Sequence, residues 1–328
     1  MSDTPELDRY KDRYLRRIKQ QKSESTHHNR KYGLGKYKKW LAGQEYDLLS
    51  IGKFGIEDFI IYLGEEDYAP ETANSIYSTV TNFYEFLLDL SYENPEPDID
   101  ESPCERVNRT DFKSVLSGTR KQQKTRDEIS YLAPEEVDTL CEHVPNPKLR
   151  NELMIRMMFQ TGCRQGEIRN MRVDNIDEGE RSIRVYAEKT DDYRTVYYQP
   201  SLDPLLDEWL HGGNRMGFFK ANESPYVFVS GQSEQFAHSN DINRIVRNTA
   251  KDAGLNEVMY EDRAGVKRWK ITSHTLRHSH AIASIKSGID IERVRRHMGH
   301  SSLDMTKRYL QFVEEDVRDA YGSFGNWE

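Results

Sequence analysis

Five side chains in the second half of the chain could together do chemistry on a phosphate ester. Arg164 stands in the run Thr161-Gly162-Cys163-Arg164-Gln165-Gly166-Glu167. His274 and Arg277 stand in His274-Thr275-Leu276-Arg277-His278, and His300 and Tyr309 in the run from Gly299 to Tyr309. Metal-free attack on a phosphodiester needs such a set. Guanidiniums neutralise the charged phosphorus centre, imidazoles hold or move protons, and a hydroxyl supplies the nucleophile.

Local signals say how these residues are held. Gly162 stops a strongly apolar helix running from Leu149 to Phe159, so Arg164 begins the next helix. There its side chain can meet an anion where backbone N–H groups also point. Glu167 lies one helical turn on and can orient Arg164 through a charge-assisted pair; a surface carboxylate is the plain alternative. His274 and Arg277 sit three apart in a segment from His274 to Lys286 that Gly288 closes, so they face the same way on a helix. The planar fork of Arg can hold two non-bridging phosphate oxygens at once. His274 can accept the nucleophile's proton or hydrogen-bond the phosphate. His278 and His280 are further imidazoles. The four-residue step from His274 to His278 raises the question of a metal. The pattern lacks the Glu of a zinc-protease helix, and no carboxylate or thiolate sits nearby at ligand spacing, so none is expected. His300 follows Gly299, which ends a helix from Ile291 to Met298.

The order Arg, His-x-x-Arg, His, Tyr at these separations resembles the tyrosine recombinases, the phage integrase family of site-specific DNA recombinases, over Arg164 to Tyr309. The resemblance implies that Tyr309 attacks one strand to form a 3′-phosphotyrosyl link while Arg164, Arg277 and His300 hold the pentavalent phosphorane. His274 joins this catalytic set, and Glu167 supports it. The resemblance also points to Lys189, in Ala187-Glu188-Lys189-Thr190, as the acid for the leaving 5′ oxygen, with Arg194 opening the return strand of the same hairpin. The glycines that often flank such a lysine are absent here, which keeps open its reading as a surface lysine in a tight turn. No metal or cofactor is implied. The implied partners are double-stranded DNA and further copies of the chain, as a tetramer on DNA acting on a mobile element or on chromosome dimers. A tail with Phe312, Val313, Val317, Ala320 and Tyr321 at helical spacing would dock in trans, or fold back on its own domain. A type IB topoisomerase shares the chemistry, and a non-catalytic DNA-binding relative would share the fold. The two-domain layout with its tail favours recombination, and the complete residue set favours an enzyme.

The rest of the chain must carry this set. The expected fold is mainly α with a small antiparallel sheet (α+β). Residues 1–92 read as a helical bundle, which the resemblance makes a SAM-like core-binding domain. Its helices run over Leu7–Ile18, from His27 through Trp40, over Ile56–Leu63, and from Pro70 with a stripe of Ile76, Val80, Phe83, Phe86, Leu87 and Leu90. Residues 93–126 read as a linker, because three prolines among many acids deny it regular structure. Residues 127–328 read as the catalytic domain with a tail helix. Within it, Ser182–Glu188 and Arg194–Tyr198 alternate as a hairpin, and Tyr226–Val229 reads as a further short strand.

Composition bounds the whole. A chain of 328 residues with 36% apolar content suits two domains with ordinary cores. Apolar runs are too short to span a bilayer, and no charged-then-apolar leader opens the chain, which points to a cytoplasmic protein. The cysteines Cys104, Cys141 and Cys163 are odd in number and far apart, and read as reduced thiols. The net charge of −8 is unlike a DNA enzyme, but its distribution is not. From Arg9 to Lys39 a dozen Lys and Arg residues meet only Asp12 and Glu24. A local cationic face is what phosphate binding needs, so Arg16, Arg17, Lys36, Lys38 and Lys39 are the expected DNA contacts. The acidic remainder fits a source with high intracellular salt, as in an archaeal host.

Overall fold

A computed structural model describes residues 5–117, 129–187, 191–261 and 267–313. The chain divides into two compact units, Met1–Glu128 and Ile129–Glu328. In the first, α1 (Pro5–Gln21), α2 (Glu24–Leu41), α3 (Lys53–Glu65) and α4 (Pro70–Glu93) form a bundle, followed by one turn, α5 (Lys113–Leu116). Ser23 caps α2 by accepting the Thr26 N–H, and Pro70 occupies the first turn of α4. Aromatic residues fill the interior. Tyr37 lies edge-on to Phe59 at 4.9 Å, and its hydroxyl meets that of Tyr84 at 2.6 Å; Tyr84 in turn donates to the Leu48 carbonyl. Buried phenols need such partners. Gly33 lets α2 approach α4 closely, since a Cβ there would lie 2.8 Å from the Thr79 side chain.

The stretch expected to be a linker is irregular, as its prolines require, yet much of it packs on the bundle. Ile99, Cys104, Val107 and Leu116 are buried in the same core as the four helices. Proline denies a segment its helical hydrogen bonds but not its burial. Four apolar anchors suffice to hold this path of turns and bends against the helices, so the first unit extends well beyond residue 92.

The second unit is built around α7 (Lys148–Thr161), whose Leu153, Met154, Ile155, Met157 and Met158 are wholly buried. It packs against α6 (Pro134–Glu142), α9 (Asp203–Leu210) and α11 (Ser273–Lys286). Between them come α8 (Gln165–Arg169) and an antiparallel sheet of β1 (Ile176–Asp177), β2 (Ser182–Ala187) and β3 (Asp192–Tyr197), with Ile183 opposite Val196 and Val185 opposite Arg194. Then follow α10 (Ser239–Asp252), α12 (Ile291–Met298) and the single turn α13 (Asp304–Lys307). The expected strand at Tyr226–Val229 is instead one isolated bridge, Arg172 to Tyr226, followed by a bend at Val227 and Phe228. Val227, Phe228 and Val229 are all buried, so their apolar run marks burial, while the bend interrupts any ladder. A ribbon of β4 (Val258–Glu261) and β5 (Lys267–Trp269) precedes α11 and was not legible, because all four residues of β4 are exposed and leave no alternation to read.

All three cysteines are buried, and burial pushes their thiols up, to about 12 for Cys104 and Cys141 and about 11 for Cys163. None of the helices among the described residues is long and apolar enough to cross a membrane.

Candidate active site

Gly162 ends α7 in the left-handed conformation (φ 63°), and a Cβ there would lie 2.5 Å from the His280 ring. Only glycine fits both demands. Two residues later Arg164 caps α8. Its backbone N–H and its Nη1 donate to the two oxygens of Glu167, at 2.8 and 3.0 Å. Glu167 is buried, and burial alone would raise its pKa. Arg194, which spans both carboxylate oxygens at 2.7 and 2.8 Å, and Arg164 reverse that and hold the carboxyl below its usual range. Glu167 is therefore no surface carboxylate.

The α11 helix brings three functional groups to the site within two turns. Arg277 is only 2% exposed, and its guanidinium is clamped by two carbonyls. Nη1 donates to Gly162 at 2.5 Å and Nη2 to Met298 at 2.6 Å. Burial and the neighbouring Arg164 lower its pKa to about 10, so it stays charged at neutral pH. His274 sits at the exposed start of the helix. Desolvation and the cations Arg277, Arg164 and Arg308 depress its pKa. His278, one turn further, stacks edge-on against His274 at 4.3 Å and is brought down to about 3 by burial and by His274. Its Nδ1 meets the Tyr309 hydroxyl at 2.8 Å.

His300 follows Gly299, a second left-handed helix end (φ 66°). Its Nδ1 meets the Thr306 hydroxyl at 2.8 Å, and its ring lies nearly parallel to that of Tyr309 with centroids 6.3 Å apart. Burial, then Arg277, lowers its pKa to about 3. Tyr309 follows α13. Its ring is buried among Ala281, Ile282, Val294 and Met298 while its hydroxyl reaches His278. Burial raises the phenol's pKa, against the pull of Arg277, Arg308 and Arg164. Arg308 thus eases phenolate formation, whereas Lys307 is turned to an exposed pair with Asp304.

The fold therefore gathers Arg164, Glu167, His274, Arg277, His300 and Tyr309 around one point. Lys189 lies outside the described residues, between Ala187 of β2 and Asp192 of β3. Sequence reasoning missed two partnerships: His278 with the Tyr309 hydroxyl, and Arg194 with Glu167. The four-residue step from His274 to His278 carried the first signal, and nothing local carried the second. Among the described residues no group of three His, Cys, Asp or Glu side chains could hold a metal. Of the residues expected to meet DNA, Arg16 and Lys39 are exposed. Arg17 lies 3.7 Å from Asp89, Lys36 lies over the Tyr32 and Tyr68 rings, and Lys38 is paired with Asp8. These last three are partly engaged within the bundle. In the tail, Phe312 and Val313 pack on their own unit, Phe312 against Tyr131 at 5.2 Å; residues 314–328 lie outside the described set.

The buried imidazoles make stability depend on pH. His280 donates Nδ1–H to the Phe159 carbonyl, its Nε2 has no partner, and burial lowers its pKa to about 3, as for His300. Their folded pKa values lie below the unfolded value of 6.5. Their stabilising effect is therefore complete above that value and lost as pH falls from it toward 3. These two groups alone should cost the fold roughly 2–3 kcal/mol between pH 7 and 5.5, and His278 and His297, lowered to about 3 and about 4, add to the loss in the same direction. Urea unfolding at both values checks this, and equal midpoints would show that the imidazoles are charged in the fold.

The model of the phage integrase family matches residues 130–315, more than half of the chain, and the chain belongs to that family. Tyrosine recombinase XerA of Pyrococcus furiosus is 28% identical over 191 residues, which cover 58% of this chain and 59% of that protein. Tyrosine recombinase XerC of Pediococcus pentosaceus is 24% identical over 315 residues, 94% of each. The chain thus aligns with less than two thirds of XerA and with nearly all of XerC. Among solved structures, XerH recombinase bound to palindromic difH in a post-cleavage complex superposes with a TM-score of 0.66 at 18% identity, covering 90% of this chain and 78% of that one. A lambda integrase dimer bound to a COC′ core site gives 0.65 at 17% identity, covering 92% and 94%. These likenesses show the fold.

Proposed function

We propose that the protein is a site-specific DNA recombinase that cuts and rejoins strands through a 3′-phosphotyrosyl intermediate. One observation carries this reading: a phenol hydroxyl held on a neutral imidazole, beside a guanidinium clamped by two backbone carbonyls. Tyr309 Oη attacks the phosphorus and passes its proton to Nδ1 of His278, the ring nitrogen that its hydroxyl meets at 2.8 Å. Arg164, Arg277, His274 and His300 bind the non-bridging oxygens, where charge accumulates in the phosphorane. Lys189 protonates the departing 5′ oxygen. The P–O bond to Tyr309 replaces the one broken, so a 5′ hydroxyl can reverse the step with no external energy source. When that hydroxyl comes from a partner duplex, strands are exchanged.

The first unit serves as the DNA-binding domain, with Arg16 and Lys39 as its open cations and Arg17, Lys36 and Lys38 joining once their internal partners are displaced. Strand exchange between two duplexes needs four active sites, so the chain assembles as a tetramer on DNA in the cytoplasm. A lambda integrase tetramer bound to a Holliday junction shares this fold. Phe312 and Val313 pack on their own unit, and the apolar spacing of Val317, Ala320 and Tyr321 in the sequence supports docking of the tail on a neighbouring copy.

Nicked duplexes made from genomic DNA flanking the gene test the reading. A covalent protein–DNA adduct with exchange between two duplexes is the expected result. Relaxation of supercoiled plasmid without exchange would mark a topoisomerase, and absence of any adduct would leave only a DNA-binding protein.

A further inference from the structure

One guanidinium in the catalytic unit ties together three elements that each carry a group of the proposed reaction. Arg194 lies on β3, the return strand of the hairpin that bears Lys189. Its Nη1 and Nη2 donate to Oε1 and Oε2 of Glu167 at 2.7 and 2.8 Å, beside Arg164. Its Nε donates at 2.8 Å to the carbonyl of His297, three residues before His300. The side chain is 12% exposed and passes under Gly299, where a Cβ would lie 3.0 Å from Arg194 Cδ.

The Glu167 carboxylate is fully occupied. Oε1 accepts from Nη1 of both arginines, and Oε2 accepts from Arg194 Nη2 and the Arg164 backbone N–H. A carboxylate offers about four lone-pair sites, so four donors saturate it. Arg164 therefore gives its side chain to Glu167 through one nitrogen only, and its other donors meet no acceptor among the described residues. Its side chain is 35% exposed, and its charge acts on Arg277, His274 and His300.

We infer that Arg194 is a positioning residue: by saturating Glu167 it stops Arg164 from closing a two-pronged pair with that carboxylate, and so keeps Arg164 turned to the phosphate. The inference rests on the reading of the site as a phosphate-binding one. Without Arg194, a buried carboxylate would have two vacant acceptor sites and one adjacent cation. Fork-to-fork pairing between guanidinium and carboxylate is the geometry that would then form, and a buried charge left unpaired is costly enough to drive it.

This mechanism has a signature that fold support alone lacks. Arg194→Met should weaken phosphate binding, and adding Glu167→Gln should restore much of it, because the neutral amide no longer captures Arg164. Arg194→Lys keeps the charge and loses the fork, so it should resemble Arg194→Met. The test titrates inorganic phosphate into the full-length chain and follows the His300 ring resonances by NMR, with thermal unfolding of each variant alongside. Arg194→Met and Arg194→Lys are expected to raise Kd by roughly tenfold to a hundredfold, the scale of one charge-assisted contact. The double variant should return to within about threefold of the wild type, since that contact is restored. Wild-type binding with both single variants unchanged overturns the positioning role alone. A loss that Glu167→Gln fails to relieve also overturns it, leaving Arg194 as a support of the fold. A wild type that binds no phosphate at millimolar concentration overturns the site reading itself, and the inference with it.

Discussion

Tyr309→Phe is expected to abolish the covalent protein–DNA adduct while leaving DNA binding and folding in place. The ring is buried among Ala281, Ile282, Val294 and Met298, and phenylalanine fills that space equally well. What disappears is the one oxygen that His278 holds. Removal of a covalent nucleophile costs on the order of 10⁶ in rate where it has been isolated, so the adduct should fall below detection in a single-turnover assay on a nicked duplex. The chain has 19 tyrosines, and most are packing residues or exposed. Peptide mapping of the wild-type adduct should therefore find DNA on the peptide containing Tyr309. An adduct that survives in the variant would transfer the chemistry to another residue and end this assignment.

Arg277→Lys should be the next most damaging change. The guanidinium does two jobs with one planar group. Two of its nitrogens are anchored by Gly162 and Met298, which fixes the remaining donors and the charge toward the site. An ammonium on a flexible stem cannot span both carbonyls and still face a phosphate. Cleavage should fall by roughly 10²–10³, the usual loss when a preorganised donor is withdrawn from a developing oxyanion. Stability should fall by about 1–3 kcal/mol, because one of the buried carbonyls loses its partner. Single-turnover cleavage and urea unfolding separate the two effects. A lysine variant that cleaves within threefold of the wild type would show that charge alone suffices at this position.

The same geometry explains why activity and fold are hard to separate here. Gly162 and Gly299, both left-handed helix ends, lie against Arg277 and Arg194. The first supplies a carbonyl to Arg277 and admits His280, and the second admits Arg194. Residues that terminate helices thus also set the positions of the charges. The pKa values of His278, His280 and His300, each lowered to about 3, follow from placing several cations and imidazoles in one poorly solvated cluster. A dianionic or monoanionic phosphate is the natural occupant of such a cluster, since it relieves repulsion that the protein alone cannot.

Much of this was legible in the chain because the signals are local. Glycine after an apolar run ends a helix, so Arg164 and His300 could be placed at turns. A three-residue step on a helix aligns His274 with Arg277. Alternation marked the hairpin of β2 and β3, and apolar periodicity marked the four helices of the first unit. Each of these depends on residues within one or two turns, where backbone geometry leaves little choice. Tertiary structure alone decided the rest. Arg194 reaches Glu167 across 27 residues and His297 across 103, and His278 reaches Tyr309 across 31. Ile99, Cys104, Val107 and Leu116 turn a proline-rich stretch into part of a core. The physical reason is that periodicity reports which side of an element is buried, and says nothing of what it is buried against. Which donor meets which acceptor is settled only when separate elements pack and their polar groups must find partners away from water.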